Sequence, residues 1–244
     1  MKTINALNIK YKELNEIIRE SISRHKEIEL NNIFGQRYIG AALPKGVKII
    51  INGTPGNDMG AYMDGAELEV FANAQDAVGN TMNDGKIIIH GNCGDTAGYA
   101  MRGGAIYVEN NVGYRVGIHM KEYQDMKPLI VIGGRAGDFL GEYMAGGAII
   151  VLGLNVKDEH LTGRFCATGM HGGSIYMAKP VEKFDLGKEA SVVELTDEDI
   201  VFLRKHIAEY GKYFKKDITQ IDPAAFVKYR AINKNPYKNI YYKL

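Results

Sequence analysis

The sequence predicts an all-β solenoid: a single-stranded right-handed parallel β-helix of about seven coils, with a capping N-terminal helix and a helical C-terminal extension. Two observations predict it. Glycine supplies 29 of 244 residues, about 12% against a usual ~7%, and most of these lie between Gly35 and Gly173. Six of the ten methionines occupy one register: Met63, Met82, Met101, Met120, Met144 and Met170. Leu43 fits ahead of them, and the steps are 20, 19, 19, 19, 24 and 26 residues.

Other columns move with the methionines. Three positions before each lies Gly40, Gly60, Gly79, Gly98, Gly117, Gly141 or Ala167, and seven before lies Gln36, Gly56, Gln75, Gly94, Gly113, Gly137 or Gly163. Three after lies Gly46, Ala66, Gly85, Gly104, Tyr123, Gly147 or Gly173, followed by a short β-rich run such as Ile87–Ile89 or Ile149–Val151. The unit is G-x3-G-x2-M-x2-G-x-[IL]-x-[VI]. It holds one strand of period-2 alternation and several tight turns, with no helical stretch. A unit of about 19 residues closes no core alone, but stacked copies do. Stacking turns the Met column into an internal ladder of adaptable side chains and the Gly columns into corners. Right-handed coiling follows from the preference for right-handed parallel crossovers. A Cu(I)-binding array would also suit stacked thioethers, but neither cysteine falls in the column, so the ladder reads as core.

Residues 1–33 precede the repeat and read as a helical cap: Tyr11–Ile22 places Leu14, Ile17 and Ile18 on one side, and solenoid ends need covers. Residues 34–178 form the solenoid. Two insertions interrupt it, His119–Pro128 before the strand Leu129–Ile132, and Gly153–His160 after the strand Ile149–Leu152. Insertions emerge on the flank and are the expected sites of contact with another chain. Residues 179–244 form the extension. Thr196-Asp-Glu-Asp199 resembles a capping box with Asp in place of Glu, ahead of Ile200, Leu203, Ile207, Tyr210 and Phe214 near helical spacing. Asp222-Pro223 reads as the start of a short helix through Ile232, and Asn235–Tyr242 reads as an extended tail.

Net charge is +1, so no overall field draws the chain to nucleic acid or membrane. No apolar run approaches the ~18 residues that span a bilayer, and Met1–Lys12 holds no secretory h-region. With only Cys93 and Cys166, the chain reads as soluble and cytoplasmic. The charge is uneven: residues 201–244 hold ten Lys/Arg against three Asp/Glu, a net of +7, and the rest carries −6. That segment is expected to fold back on the acidic body.

No chemistry-bearing motif rises above the repeat. Gly133–Asp138 and Gly91–Asp95 are glycine-rich, but neither matches G-x4-G-K-[ST] nor a strand–turn–helix dinucleotide fingerprint. His90, His119, His160 and His171 occupy different columns and make no ligand ladder. Cys166 reads as a small buried residue rather than a nucleophile. The Asx column Asn57, Asp76, Asp95 and Asp138 could hold calcium or a sugar, but turn formation explains it more simply. Arg115, His119 and Lys121 cluster with Asp138 and Glu142 as a candidate partner-contact patch. No catalytic, cofactor-binding or metal-binding residue is assigned.

Whole strings go beyond spacing. Gly35-Gln-Arg-Tyr-Ile-Gly40, Gly53-Thr-Pro-Gly-Asn57, Gly98-Tyr-Ala-Met-Arg-Gly-Gly104, Gly113-Tyr-Arg-Val-Gly-Ile-His-Met-Lys121 and Gly137-Asp-Phe-Leu-Gly-Glu-Tyr-Met-Ala-Gly-Gly147 resemble the C-terminal GXGXG β-helix domain of the glutamate synthase large subunit. The resemblance covers about residues 3–180. It implies a non-catalytic scaffold, here as a stand-alone chain, that holds glutaminase-like and FMN-binding synthase-like subunits together. The family's catalytic residues and its FMN and iron–sulfur ligands lie in those other domains, so these cofactors are expected in the partners and no activity is expected of the chain alone. Met1-Lys2 supplies no N-terminal cysteine, and two cysteines are too few for a cluster. A homo-oligomer is also compatible. Two other readings carry the glycine repeat or the coil length. One is the β-helix subunit of a formylmethanofuran dehydrogenase-like complex; the other is a left-handed hexapeptide acyltransferase, whose six-residue sub-repeat is missing. A free-standing protein-interaction module is the remaining alternative.

Overall fold

The structure, a computed structural model, describes residues 1–154, 156–157 and 160–233. It is an all-β solenoid of about six turns. The strands are β1 (Lys2–Asn5), β2 (Glu27–Phe34), β3 (Lys48–Thr54), β4 (Asp64–Val70), β5 (Asp84–Ile89), β6 (Ala105–Val108), β7 (Leu129–Ile132), β8 (Ala145–Val151), β9 (Gly172–Met177), β10 (Ala190–Val193) and β11 (Val227–Ala231). The helices are α1 (Tyr11–Ile22) and α2 (Asp197–Phe214). All strands join one sheet in the order β1-β2-β3-β4-β5-β6-β7-β8-β9-β11-β10, parallel from β1 to β9 and antiparallel through β11 and β10. Corresponding residues of the repeat pair directly: Ile87 faces Ile106, Ile106 faces Ile130 and Ile130 faces Ile149.

The interior is the Met ladder plus the inward row of the sheet. Met63, Met82, Met101, Met120, Met144 and Met170 are each 0% exposed, so each contributes about 1.5–3 kcal/mol by burial. The corner glycines make room for the strands of the next coil. A Cβ on Gly98, at φ +69°, would sit 2.5 Å from Ile130 Cδ1. The same isoleucine-over-glycine lock recurs at Gly79 with Ile106 and Gly141 with Ile175.

Each corner arc carries a second regularity. Residues five and one before each Met are also left-handed, although most are not glycine: Asp58 and Tyr62, Ala77 and Thr81, Thr96 and Ala100, Arg115 and His119, Phe139 and Tyr143, with φ between 50° and 62°. The cause is hydrogen bonding between coils. Arg115 and His119 donate their N–H groups forward to the carbonyls of Asp138 and Glu142, whereas Gly117 between them donates back to Ala97. The pattern repeats at Thr96, Gly98 and Ala100, whose partners are Tyr114, Val78 and Ile118. Alternating peptides thus face opposite neighbours, which satisfies buried backbone groups in a segment that is neither helix nor strand.

Asx side chains tie the coils on a further edge. Asp76 Oδ1 accepts from the Asp95 N–H, Asp95 Oδ1 from Tyr114 and Asp138 Oδ1 from Arg164. A parallel ladder runs through Asn73, Asn92 and Asn111, each oxygen accepting from a backbone N–H of the next coil. Each of these Oδ1 atoms is committed to a backbone amide of the next coil, a structural role that differs from the local turn the sequence suggested.

The ends differ from the sequence reading. The parallel ladder begins at Lys2, well ahead of the glycine repeat, because β1 and β2 flank α1 and pair with each other, and β2 pairs in turn with β3. Leu14 and Ile18 of α1 enter the main core. The predicted helix from Asp222 to Ile232 is corrected: Pro223–Ala225 makes one 3-10 turn and Val227–Ala231 is β11. Val227, Lys228 and Tyr229 pair with β9, so the sheet edge overrides the Asp-Pro start signal. The expected tail Asn235–Tyr242 lies outside the described residues, as does part of the Gly153–His160 insertion.

Helix α2 lies on the outer face of the sheet. Thr196 and Asp199 form the capping box reciprocally, side chain to backbone both ways. Leu203, Ile207, Tyr210 and Phe214 then pack on Ile88, Tyr107, Val131, Ile150 and Tyr176. The outward row at Glu67 and Glu69 is only part-buried, but Ile88 and its successors are fully covered. The described part of the basic extension therefore folds back mainly through an apolar seam, helped by Lys216–Glu109 at 2.8 Å.

Candidate functional site

Bulky side chains at positive φ cost about 1–2 kcal/mol each relative to glycine. Arg115, His119, Phe139, Tyr143 and Phe165 all accept that strain and all project from neighbouring arcs. Their rings and head groups form two connected lines. In one, Arg115 lies 4.6 Å over the Phe139 ring, which stacks on Phe165 at 4.9 Å. In the other, Tyr99 meets His119 edge-on at 6.0 Å and His119 stacks on Tyr143 at 5.3 Å and 9°. The Arg115 Nε donates to Glu142 Oε2 at 2.9 Å, on the residue that precedes Tyr143. Tyr99, Tyr143 and Phe165 remain 40%, 36% and 49% exposed. The coil-to-coil hydrogen bonds set this φ in every arc, so what distinguishes the strip is its side chains: exposed Tyr, Phe and Arg are what protein interfaces favour.

The structure brings Arg115, His119 and Glu142 into this strip. Glu142 is 8% exposed and held by Arg115. Asp138 contributes its carbonyl to Arg115, while its carboxylate points to the next coil. Lys121 is exposed, and among the described residues its side chain makes no hydrogen bond or ion pair with the other four. Tyr99, Phe139, Tyr143 and Phe165 were missed by the sequence reading. Only aligning the coils could have pointed to them: Phe139 and Phe165 hold the register position of Arg115, and Tyr143 that of His119.

Other candidates resolve into structure. His90 Nε2 lies 3.1 Å from Glu69 Oε1 and its ring stacks on Phe71. His171 Nδ1 lies 3.1 Å from the Gly169 carbonyl. Cys166 is 0% exposed, and burial, opposed only in part by Thr162, pushes its thiol up to about 12. Cys93 is buried likewise, with burial and then Asp76 raising it to about 12. Among the described residues no three His, Cys, Asp or Glu converge for a metal.

The repeat, the corner glycines and the arcs recur through most of the chain, and the profile of the family described as GXGXG motif matches residues 3–226. This chain belongs to the GXGXG motif family. The uncharacterized protein MJ1350 of Methanocaldococcus jannaschii is 44% identical over 248 residues, covering 98% of this chain and 95% of its own length. The GXGXG match takes in β1, α1 and β2 as well as the glycine repeat, so these elements belong to the family unit. No helix of this GXGXG chain is long and apolar enough, among the described residues, to cross a membrane.

Proposed function

We propose that this GXGXG chain is a non-catalytic scaffold subunit of a cytoplasmic glutamate synthase-type complex, orienting glutaminase-like and FMN-binding synthase-like partners. The observation that carries it is the exposed strip from Tyr99 to Phe165, raised on strained arcs of a GXGXG domain. The surface is built for contact, while neither thiol is poised for chemistry. With this reading we propose the finer geometry of seven right-handed coils, the hand that parallel crossovers prefer.

FMN and the iron–sulfur cluster belong to the partners in this reading. The chain's own donors do not fit a cluster, which takes four thiolates: its two thiols are buried in separate columns and both are pushed up to about 12. Affinity capture of the tagged chain from native extract tests the proposal. Recovery of a glutaminase-like or FMN-containing subunit supports it, and a stable free monomer with neither overturns it. Recovery of a molybdopterin-type subunit would instead favour the formylmethanofuran dehydrogenase reading.

A further inference from the structure

Helix α2 covers only part of the outer sheet face. Beside the row it covers, Ala105, Leu129, Ala148 and Ser174 form the register-matched floor of an open groove of about 890 Å3. The insertion makes one wall: Tyr123 and Met126 exchange backbone hydrogen bonds in a tight reversal, and Glu122 Oε1 accepts from the Gly147 N–H to fix its base. The first turns of α2, with Phe202 and Lys205, make the other. The short side chains on either side of Leu129, next to a row of Tyr, Val and Ile, keep the slot open.

The groove is acidic. Asp64 and Asp84 are direct register partners on β4 and β5, so their carboxylates stand on backbones about 4.8 Å apart and repel. Both are exposed, as is Asp125 on the insertion. None of the three makes a side-chain hydrogen bond or ion pair to any described residue. Asp199 in the same groove differs, being neutralised by Lys228. A divalent ion is a poor occupant, since no three of these acids converge on one point.

We propose that this groove seats an extended, lysine- or arginine-bearing segment of a protein partner. Its aliphatic stems lie on Ala105, Leu129 and Ala148, and its cationic heads reach Asp64, Asp84 and Asp125. Long cationic side chains suit such a slot because stem and head partition separately. The proposal concerns a surface distinct from the aromatic strip, so it stands or falls apart from the glutamate synthase reading.

The test uses the full chain and a fluorescent peptide alternating lysine with leucine, against its glutamate counterpart. Binding is read by anisotropy, and lysine–carboxylate contacts are mapped by zero-length carbodiimide cross-linking and mass spectrometry. The expected result is binding about tenfold tighter for the cationic peptide, weakened by salt, with cross-links centred on Asp64, Asp84 and Asp125. The triple variant Asp64→Asn, Asp84→Asn, Asp125→Asn should lose that preference while keeping its melting temperature. A second variant, Ala148→Lys, should close the floor and give the same loss. Cross-links scattered over acids outside the groove, undiminished binding by both variants, or displacement of the peptide by calcium alone would overturn the proposal.

Discussion

The imidazole of His119 lies parallel to the Tyr143 ring, 5.3 Å away, although the two residues belong to successive coils and both sit at left-handed φ. One register step of the arc places one ring over the other. Replacing His119 and Tyr143 with glycine removes both rings and relieves two strained positions. The expected outcome is a stability change within about 1 kcal/mol, and loss of partner recovery in affinity capture. Unchanged recovery would remove this strip from the interface.

Within one arc, opposite substitutions should act oppositely. Gly98→Ala forces a Cβ into φ +69° and against Ile130, with an expected loss of about 1–3 kcal/mol. Ala100→Gly, two residues on at φ +50°, should gain about 1 kcal/mol. Denaturant titration of both variants measures the pair, and equal signs would contradict the arc geometry.

These arcs also mark the limit of what sequence revealed. The Met register and corner glycines were legible because core filling and positive φ restrict residue choice. Arg115, Phe139 and Phe165 were not legible as left-handed, because coil-to-coil hydrogen bonds impose their φ and leave the side chain unconstrained. The alternation of Ile28 and Leu30 did carry a strand signal for β2, but it breaks before Ile33 and lies ahead of the glycine repeat that defined the solenoid. The Asp222-Pro223 start misled because β9 offers Val227–Ala231 an edge to pair with, and pairing outweighs a local cap. Of the candidate patch, Arg115, His119 and Glu142 proved to be neighbours, while their aromatic companions emerged only from stacking the coils.

Acid should loosen α2. Burial alone would raise the Asp199 carboxyl, but hydrogen bonds from Lys228, the Thr196 amide and the Tyr176 hydroxyl outweigh it and hold the pKa at about 2. The folded value is below the unfolded one, so the stabilisation is complete above about pH 4 and is lost as pH falls toward 2. Its size is ~2 kcal/mol. Lys228→Met strands the buried carboxylate and should cost about 3–5 kcal/mol at neutral pH. Thermal unfolding against pH checks both, and the variant should show a flatter acid limb.

Neither thiol should react in the folded protein. With Cys93 and Cys166 buried and raised to about 12, iodoacetamide at pH 8 should label neither until denaturant is added. Rapid labelling of the native chain would show that the coils open locally at those positions.

The sheet ends carry one more consequence. β1 leaves a parallel edge at one end, while at the other β11 reverses direction and β10 turns back to run with β1–β9. The solenoid therefore has a polarity, and its two ends do not match. β10 is only four residues long and continues neither the glycine corners nor the Met ladder, so a copy stacked head to tail would meet a short edge out of step with the repeat. Endless growth into a fibre, the standing hazard of any stack of identical coils, is opposed at its last strand.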